Sequence, residues 1–204
     1  TGYSQLLQNT NLDKEQKGLL KSLTNCSLQL MQIINDVLDV SRLNSGRMQI
    51  QEECFLFSNL QEQVTSILSQ RVREKKQTLV WRRSSDIPEY IISDKQRIIN
   101  LISNAHKFSD KGKTIQVVCS VKSAGNLTFQ VIDEGEGIPT SELCDIFRQF
   151  KQITSNISSG ENGSGLGLAI CKSLSVLMGG DIHVSSVERV GSVFTVDVKF
   201  SEVD

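Results

Sequence analysis

Residues 94–108 read DKQRIINLISNAHKF, and the rest of the chain is organised around them. Ile98, Leu101, Ile102 and Ala105 recur at helical spacing and give one apolar stripe. Ser93 or Asp94 can cap the helix, because a short side-chain oxygen accepts from its free backbone N–H groups. Asn100, Asn104 and Lys107, spaced by four and three, share another face. An amide oxygen suits a hard cation such as Mg2+, and a Lys ammonium suits a phosphate. The alternative is a solvated polar face on a surface helix.

Two glycine clusters follow. The first is Asp133-Glu134-Gly135-Glu136-Gly137-Ile138. A carboxylate at a strand end can accept from the exocyclic amine of adenine, and glycines let backbone approach a flat base. A tight turn is the competing reading of the same residues. The second is Gly163-Ser164-Gly165-Leu166-Gly167-Leu168-Ala169-Ile170. It opens a helix, whose free N–H groups and positive end attract phosphate. Its spacing is neither a P-loop nor a dinucleotide-binding fingerprint.

In this order the asparagine helix and the two clusters resemble the N, G1 and G2 boxes of the GHKL ATP-binding superfamily, and more narrowly a sensor histidine kinase. The resemblance covers essentially all 204 residues. It implies ATP and Mg2+ as cofactors. It makes Asn104 the metal ligand, with Asn100 supporting the metal and phosphates, Lys107 reaching a phosphate and Phe108 bordering the nucleotide. Asp133, with Gly135, Gly137 and Ile138, reads adenine. Gly163, Gly165, Leu166, Gly167 and Leu168 wrap the triphosphate. Phe147, Phe150 and Lys151 form the base of a lid over residues 151–162, although Phe147 and Phe150 also fit a plain core pair. The ATPases of this fold carry a Glu four residues before the metal Asn to activate water. Asn100 is a poor base, so transfer to another group is favoured over hydrolysis. Glu134 departs from the small residue more usual there, and Glu134 and Glu136 read as solvated.

Composition sets the outer bounds. A chain of 204 residues with 38% hydrophobic and 22% charged content suits one or two globular domains. A net charge of −1 supplies no field for nucleic acid or an acidic membrane. No apolar run reaches the length of a membrane span, and no signal peptide opens the chain. Cys26, Cys54, Cys119, Cys144 and Cys171 are dispersed and read as small buried thiols in a reducing compartment. Thr1-Gly2-Tyr3 opens in mid-pattern, as in a piece cut from a longer protein.

Before the boxes, Asp13 and Gln16 form a capping box ahead of a long helix. Leu19, Leu23, Cys26, Leu30, Ile33, Val37 and Val40 alternate in steps of four and three, a heptad seam. Leu20, Ile34 and Leu38 widen it toward a four-helix bundle. Gly46 can take the left-handed conformation that ends the helix. One helix cannot bury such a seam, so a homodimer through residues 13–45 is expected, with packing onto the following domain as the alternative. This segment resembles part of the dimerisation and phosphotransfer hairpin of histidine kinases.

The expected fold is α+β: a two-layer α/β sandwich of the Bergerat (GHKL) type over residues 47–204, preceded by a helical hairpin over residues 1–46 that dimerises as a four-helix bundle. Strands are expected near residues 49–57, 78–82, 90–92, 114–121, 127–132, 182–185 and 192–200. Helices are expected over 60–75, 143–150 and 165–178. The resemblance implies the catalytic core of a kinase that moves the γ-phosphate of Mg-ATP to a His for relay to a response regulator or receiver domain, in the cytoplasm, with no nucleic acid and no direct membrane contact. The acceptor His would lie two to three turns before Gly2-Tyr3-Ser4, outside this sequence. His106 and His183 read as structural or exposed, so no catalytic residue is assigned. The competing function is a degenerate kinase that dimerises and binds nucleotide or a partner without transfer.

Overall fold

The computed structural model describes residues 3, 6, 7, 10–105, 112–151 and 164–202, the side chains of 70, 71 and 105 excepted. The chain divides into two compact units, Thr1–Met48 and Gln49–Asp204.

The first unit is dominated by α1, Lys14–Asn44. Its capping box forms as expected: the Gln16 N–H donates to Asp13 Oδ1 at 2.8 Å, and the Asp13 N–H donates to Gln16 Oε1 at 3.1 Å. Two otherwise orphaned donors are satisfied reciprocally. The helix ends in a Schellman motif, with Gly46 at φ +64, Gly46 N–H donating to Leu43 O and Arg47 N–H donating to Arg42 O. The heptad seam lies open in the single chain: Leu19 is 66% and Leu30 58% exposed, and Leu23, Ile33 and Val37 are exposed with them.

In the second unit the strands are β1 Glu53–Leu56, β2 Thr78–Arg83, β3 Tyr90–Ser93, β4 Thr114–Ser123, β5 Asn126–Asp133, β6 Asp181–Val187, β7 Gly191–Lys199 and β8 Ser201–Glu202. The helices are α2 Phe57–Glu74, α3 Lys95–Ala105, α4 Thr140–Leu143 and α5 Gly167–Leu177. Five strands form a sheet in the order β2-β4-β5-β7-β6; β1, β3 and β8 form a smaller antiparallel one. Alternation decides which face is covered. Ile115, Val117 and Cys119 of β4, Leu127, Phe129 and Val131 of β5, and Phe194, Val196 and Val198 of β7 are buried. Their neighbours Gln116, Val118, Gln130 and Thr195 are only half-buried. The helices supply the other half of the core: Phe57, Leu60, Val64 and Leu68 from α2, Ile98, Leu101 and Ile102 from α3, and Cys171 and Leu174 from α5. α3 packs between α2 and α5 and lies on β5. Phe57 and Phe129 stack with centroids 6.4 Å apart, and each such fully buried side chain contributes roughly 1.5–3 kcal/mol.

Three details differ from the sequence reading. β2 pairs parallel to β4, a non-local pairing that periodicity does not reveal. The helix expected over 143–150 lies earlier, at Thr140–Leu143 behind Pro139. Its continuation is a run of i→i+3 turns, in which Arg148 N–H donates to Asp145 O and Lys151 N–H to Arg148 O. The two-residue β8, Ser201–Glu202, lies beyond the expected strands and pairs with β3.

Candidate functional site

Of the two candidate caps of α3, Asp94 is used. The Arg97 N–H donates to its Oδ1 at 3.0 Å, and the Gln51 N–H donates to its Oδ2 at 3.0 Å. Ser93 instead donates to Lys199 O at 3.0 Å. Ile98, Ile99, Leu101 and Ile102 anchor the helix, which leaves Asn100 and Asn104 half-buried on its polar side. Asn100 Oδ1 accepts from Gln96 Nε2 at 3.2 Å. His106, Lys107 and Phe108 lie outside the described residues. Among the described residues no cluster of His, Cys, Asp or Glu could hold a metal ion. The donors here are neutral amide oxygens, which fit a hard cation that keeps most of its waters and takes its remaining ligands from phosphates.

Asp133 ends β5 and is buried. The Gly135 N–H donates to its Oδ1 at 2.8 Å, a turn that holds the carboxylate in one orientation. Gly135 and Ile138 are buried as well. Gly137, at φ +70, has an internal reason to be glycine: a Cβ there would stand 2.2 Å from the Val187 carbonyl oxygen. Glu134 is not simply solvated, since its Oε2 accepts from the Thr114 N–H at 3.3 Å; Glu136 is exposed.

α5 begins at Gly167, and its N-cap, Leu166, makes no side-chain capping bond. Leu166 and Leu168 are buried and fix that end of the helix in the core. Gly165, at φ +71, lets the chain pass against Phe150, whose carbonyl carbon would lie 2.7 Å from a Cβ. Gly163 and residues 152–162 lie outside the described residues. Phe147 and Phe150 are not a buried core pair: Phe150 is 70% exposed and takes φ +64. Phe147 is half-buried beneath Lys172, whose Nζ stands 5.8 Å from the ring centroid. Lys172 also hydrogen-bonds Asp181, which holds that carboxyl below its ordinary range. Lys172, Asp181 and Ser186 were not singled out in the sequence, where nothing distinguishes them from ordinary surface polar residues.

The cysteines divide. Cys119 and Cys171 are buried, and burial pushes the Cys119 thiol up to about 12, with Arg83 opposing it. Cys26, Cys54 and Cys144 are exposed, which corrects the expectation that all five are buried. Among the described residues no helix is long and apolar enough to cross a membrane.

A one-sided sandwich that places an asparagine helix beside a glycine-led helix, with a buried carboxylate ending β5, defines the class of GHKL-type α+β domains. The family described as histidine kinase-, DNA gyrase B-, and HSP90-like ATPase matches residues 95–202, and the His Kinase A (phospho-acceptor) domain matches residues 1–46. The chain is 36% identical to hybrid signal transduction histidine kinase L of Dictyostelium discoideum, over 98% of this chain and 12% of that protein. It is 35% identical to the sensor histidine kinase RcsC of Escherichia coli, over 97% of this chain and 21% of that protein. The chain thus spans a small part of the curated relatives it matches. Among solved structures, full-length ShkA in complex with AMPPNP superposes with a TM-score of 0.78 at 30% identity, covering 99% of this chain and 42% of that one. The histidine kinase AdeS of Acinetobacter baumannii shares the fold with a TM-score of 0.71 at 24% identity, covering 97% of this chain and 90% of that one. The chain belongs to the histidine kinase-, DNA gyrase B- and HSP90-like ATPases, and within them to the histidine kinases of two-component signalling.

Proposed function

We propose that residues 47–204 bind Mg-ATP and that the chain serves as the catalytic core of a kinase phosphorylating a histidine, with residues 1–46 as part of the dimerising phosphotransfer hairpin. One observation carries this reading. The amide face of α3 and the uncapped, glycine-led start of α5 belong to two helices packed against each other. Asn104 would hold the metal with Asn100 beside it, and Asp133 would accept from the adenine amine with its loop of Gly135, Gly137 and Ile138. The turn from Gly165 through Leu166 and the first residues of α5, Gly167 and Leu168, would face the phosphates, completed by Gly163, Lys107 and Phe108. Bound Mg2+ would neutralise charge on the phosphates, and the protein's share is positioning and exclusion of water. Phe147, Phe150 and Lys151 would anchor a closing segment. Asn100 stands where a water-activating Glu is needed for hydrolysis, which favours transfer to a histidine. Neither His106 nor His183 belongs to the Thr1–Met48 unit, so neither is assigned as acceptor. Homodimerisation through α1, a receiver domain as partner and a cytoplasmic setting complete the proposal.

A clone extended upstream of Thr1, incubated with labelled ATP and Mg2+, should acquire acid-labile phosphate. Asn104→Ala should weaken Mg-ATP binding by at least about a hundredfold in calorimetry, as expected when a metal-bridged contact is lost. Unchanged affinity would remove Asn104 from the metal site.

A further inference from the structure

The far end of β6 is tied to the loop after β5 by one hydroxyl. The Ile138 N–H donates to Ser186 Oγ at 2.8 Å, Ser186 Oγ donates to Gly191 O at 2.9 Å, and the Ser186 and Ser192 oxygens are 3.0 Å apart. A hydroxyl has one proton and two lone pairs. With its proton on the Gly191 carbonyl, Ser186 accepts from both Ile138 and Ser192, so Ser192 is the donor and Ser186 is saturated. Ser192 is buried and stands directly opposite Asp133 in the β5–β7 register.

The surrounding backbone is equally close. The Arg189 N–H donates to Glu136 O at 2.6 Å, with Arg189 held at φ +62. A Cβ on Gly191 would stand 2.0 Å from Asp133 O, and one on Gly137 would stand 2.2 Å from Val187 O. Asp133, Glu136, Gly137 and Ile138 thus each meet the β6–β7 hairpin directly. A non-glycine residue at positive φ persists only where its surroundings over-determine it.

We propose that Ser186 is a positioning residue for base recognition: it moulds the 133–138 loop against the β6–β7 hairpin and thereby aims the Asp133 carboxylate. This rests on the reading of Asp133 as the adenine contact. Ser186 touches no nucleotide atom in this role; it acts through Ile138 and Ser192.

The test compares ATP with inosine triphosphate, which carries the same phosphates but an oxygen in place of the exocyclic amine. Calorimetry with Mg2+ on the 204-residue chain should show ATP bound more tightly than inosine triphosphate. Ser186→Ala should weaken ATP about tenfold, the usual effect of stranding buried hydrogen-bond partners, while inosine triphosphate changes less than about twofold. Ser186→Thr, which keeps the hydroxyl, should restore the discrimination. Should Ser186→Ala fail to fold, Ser186→Cys keeps the volume, weakens the hydrogen bonds and should give the same split. Equal losses for both nucleotides, or no loss for ATP, overturn the proposal while the nucleotide site stands. A wild-type chain that binds neither nucleotide overturns the site and this proposal together.

Discussion

Leu30 of α1 and Phe129 of β5 are both large and apolar, yet they stand in opposite situations. Phe129 is wholly enclosed by its own unit, between the sheet and Phe57, whereas Leu30 is 58% exposed in the single chain. The sandwich closes its core internally because three helices cover one face of a five-stranded sheet. α1 has a seam of the same chemistry that the described residues leave uncovered. Apolar patterning alone therefore does not say whether a surface is core or interface; that depends on whether the same chain supplies the second layer.

Phe129→Ala should cost about 3–5 kcal/mol in denaturant unfolding of the 49–204 unit, the usual effect of emptying an aromatic core position. A loss under about 1 kcal/mol would mean that the sandwich is not held by this layer. Leu30→Asp should leave that transition in place and weaken self-association by at least about a hundredfold in sedimentation, as burying a charge in an apolar seam implies. Indistinguishable association constants would assign the seam to some other contact.

The smallest effect concerns the open face of the sheet. Burial raises the Asp197 carboxyl, but hydrogen bonds from Lys122 at 2.8 Å and Thr128 at 2.6 Å, with the Lys122 charge, outweigh it and leave the group lowered. A lowered carboxyl stabilises the fold above its unfolded value, about 3.9, and loses that contribution as pH falls through the folded value. Asp197→Asn should therefore lower the melting temperature near neutrality, where the lowered carboxyl contributes in full, and flatten the fall below about pH 4, so that the two proteins converge in acid. Identical acid limbs in the two proteins would show that Asp197 is not linked to folding.

Much of the architecture was legible beforehand because it rests on local rules. The capping box at Asp13 and Gln16, the glycine stop at Gly46 and the β4–β5 hairpin each depend on residues a few positions apart. The parallel β2–β4 pair and the two-residue β8 were not legible, since both depend on contacts far away in sequence. Exposure of Phe150 was hidden for a related reason: its spacing from Phe147 fits a helix, but the segment is a chain of tight turns.

The amino-acid order by itself determined the periods, the caps and the grouping of Asn100 with Asn104 on one helical face, because spacing along a helix fixes direction. It also placed Asp133 at the close of a strand. Only the tertiary structure decided that Gly137 and Gly191 are glycines for the sake of neighbouring carbonyls, and that Ser186 gathers a loop and a hairpin into one knot. Those are close approaches between distant segments, and no local periodicity encodes the distance between two pieces of backbone.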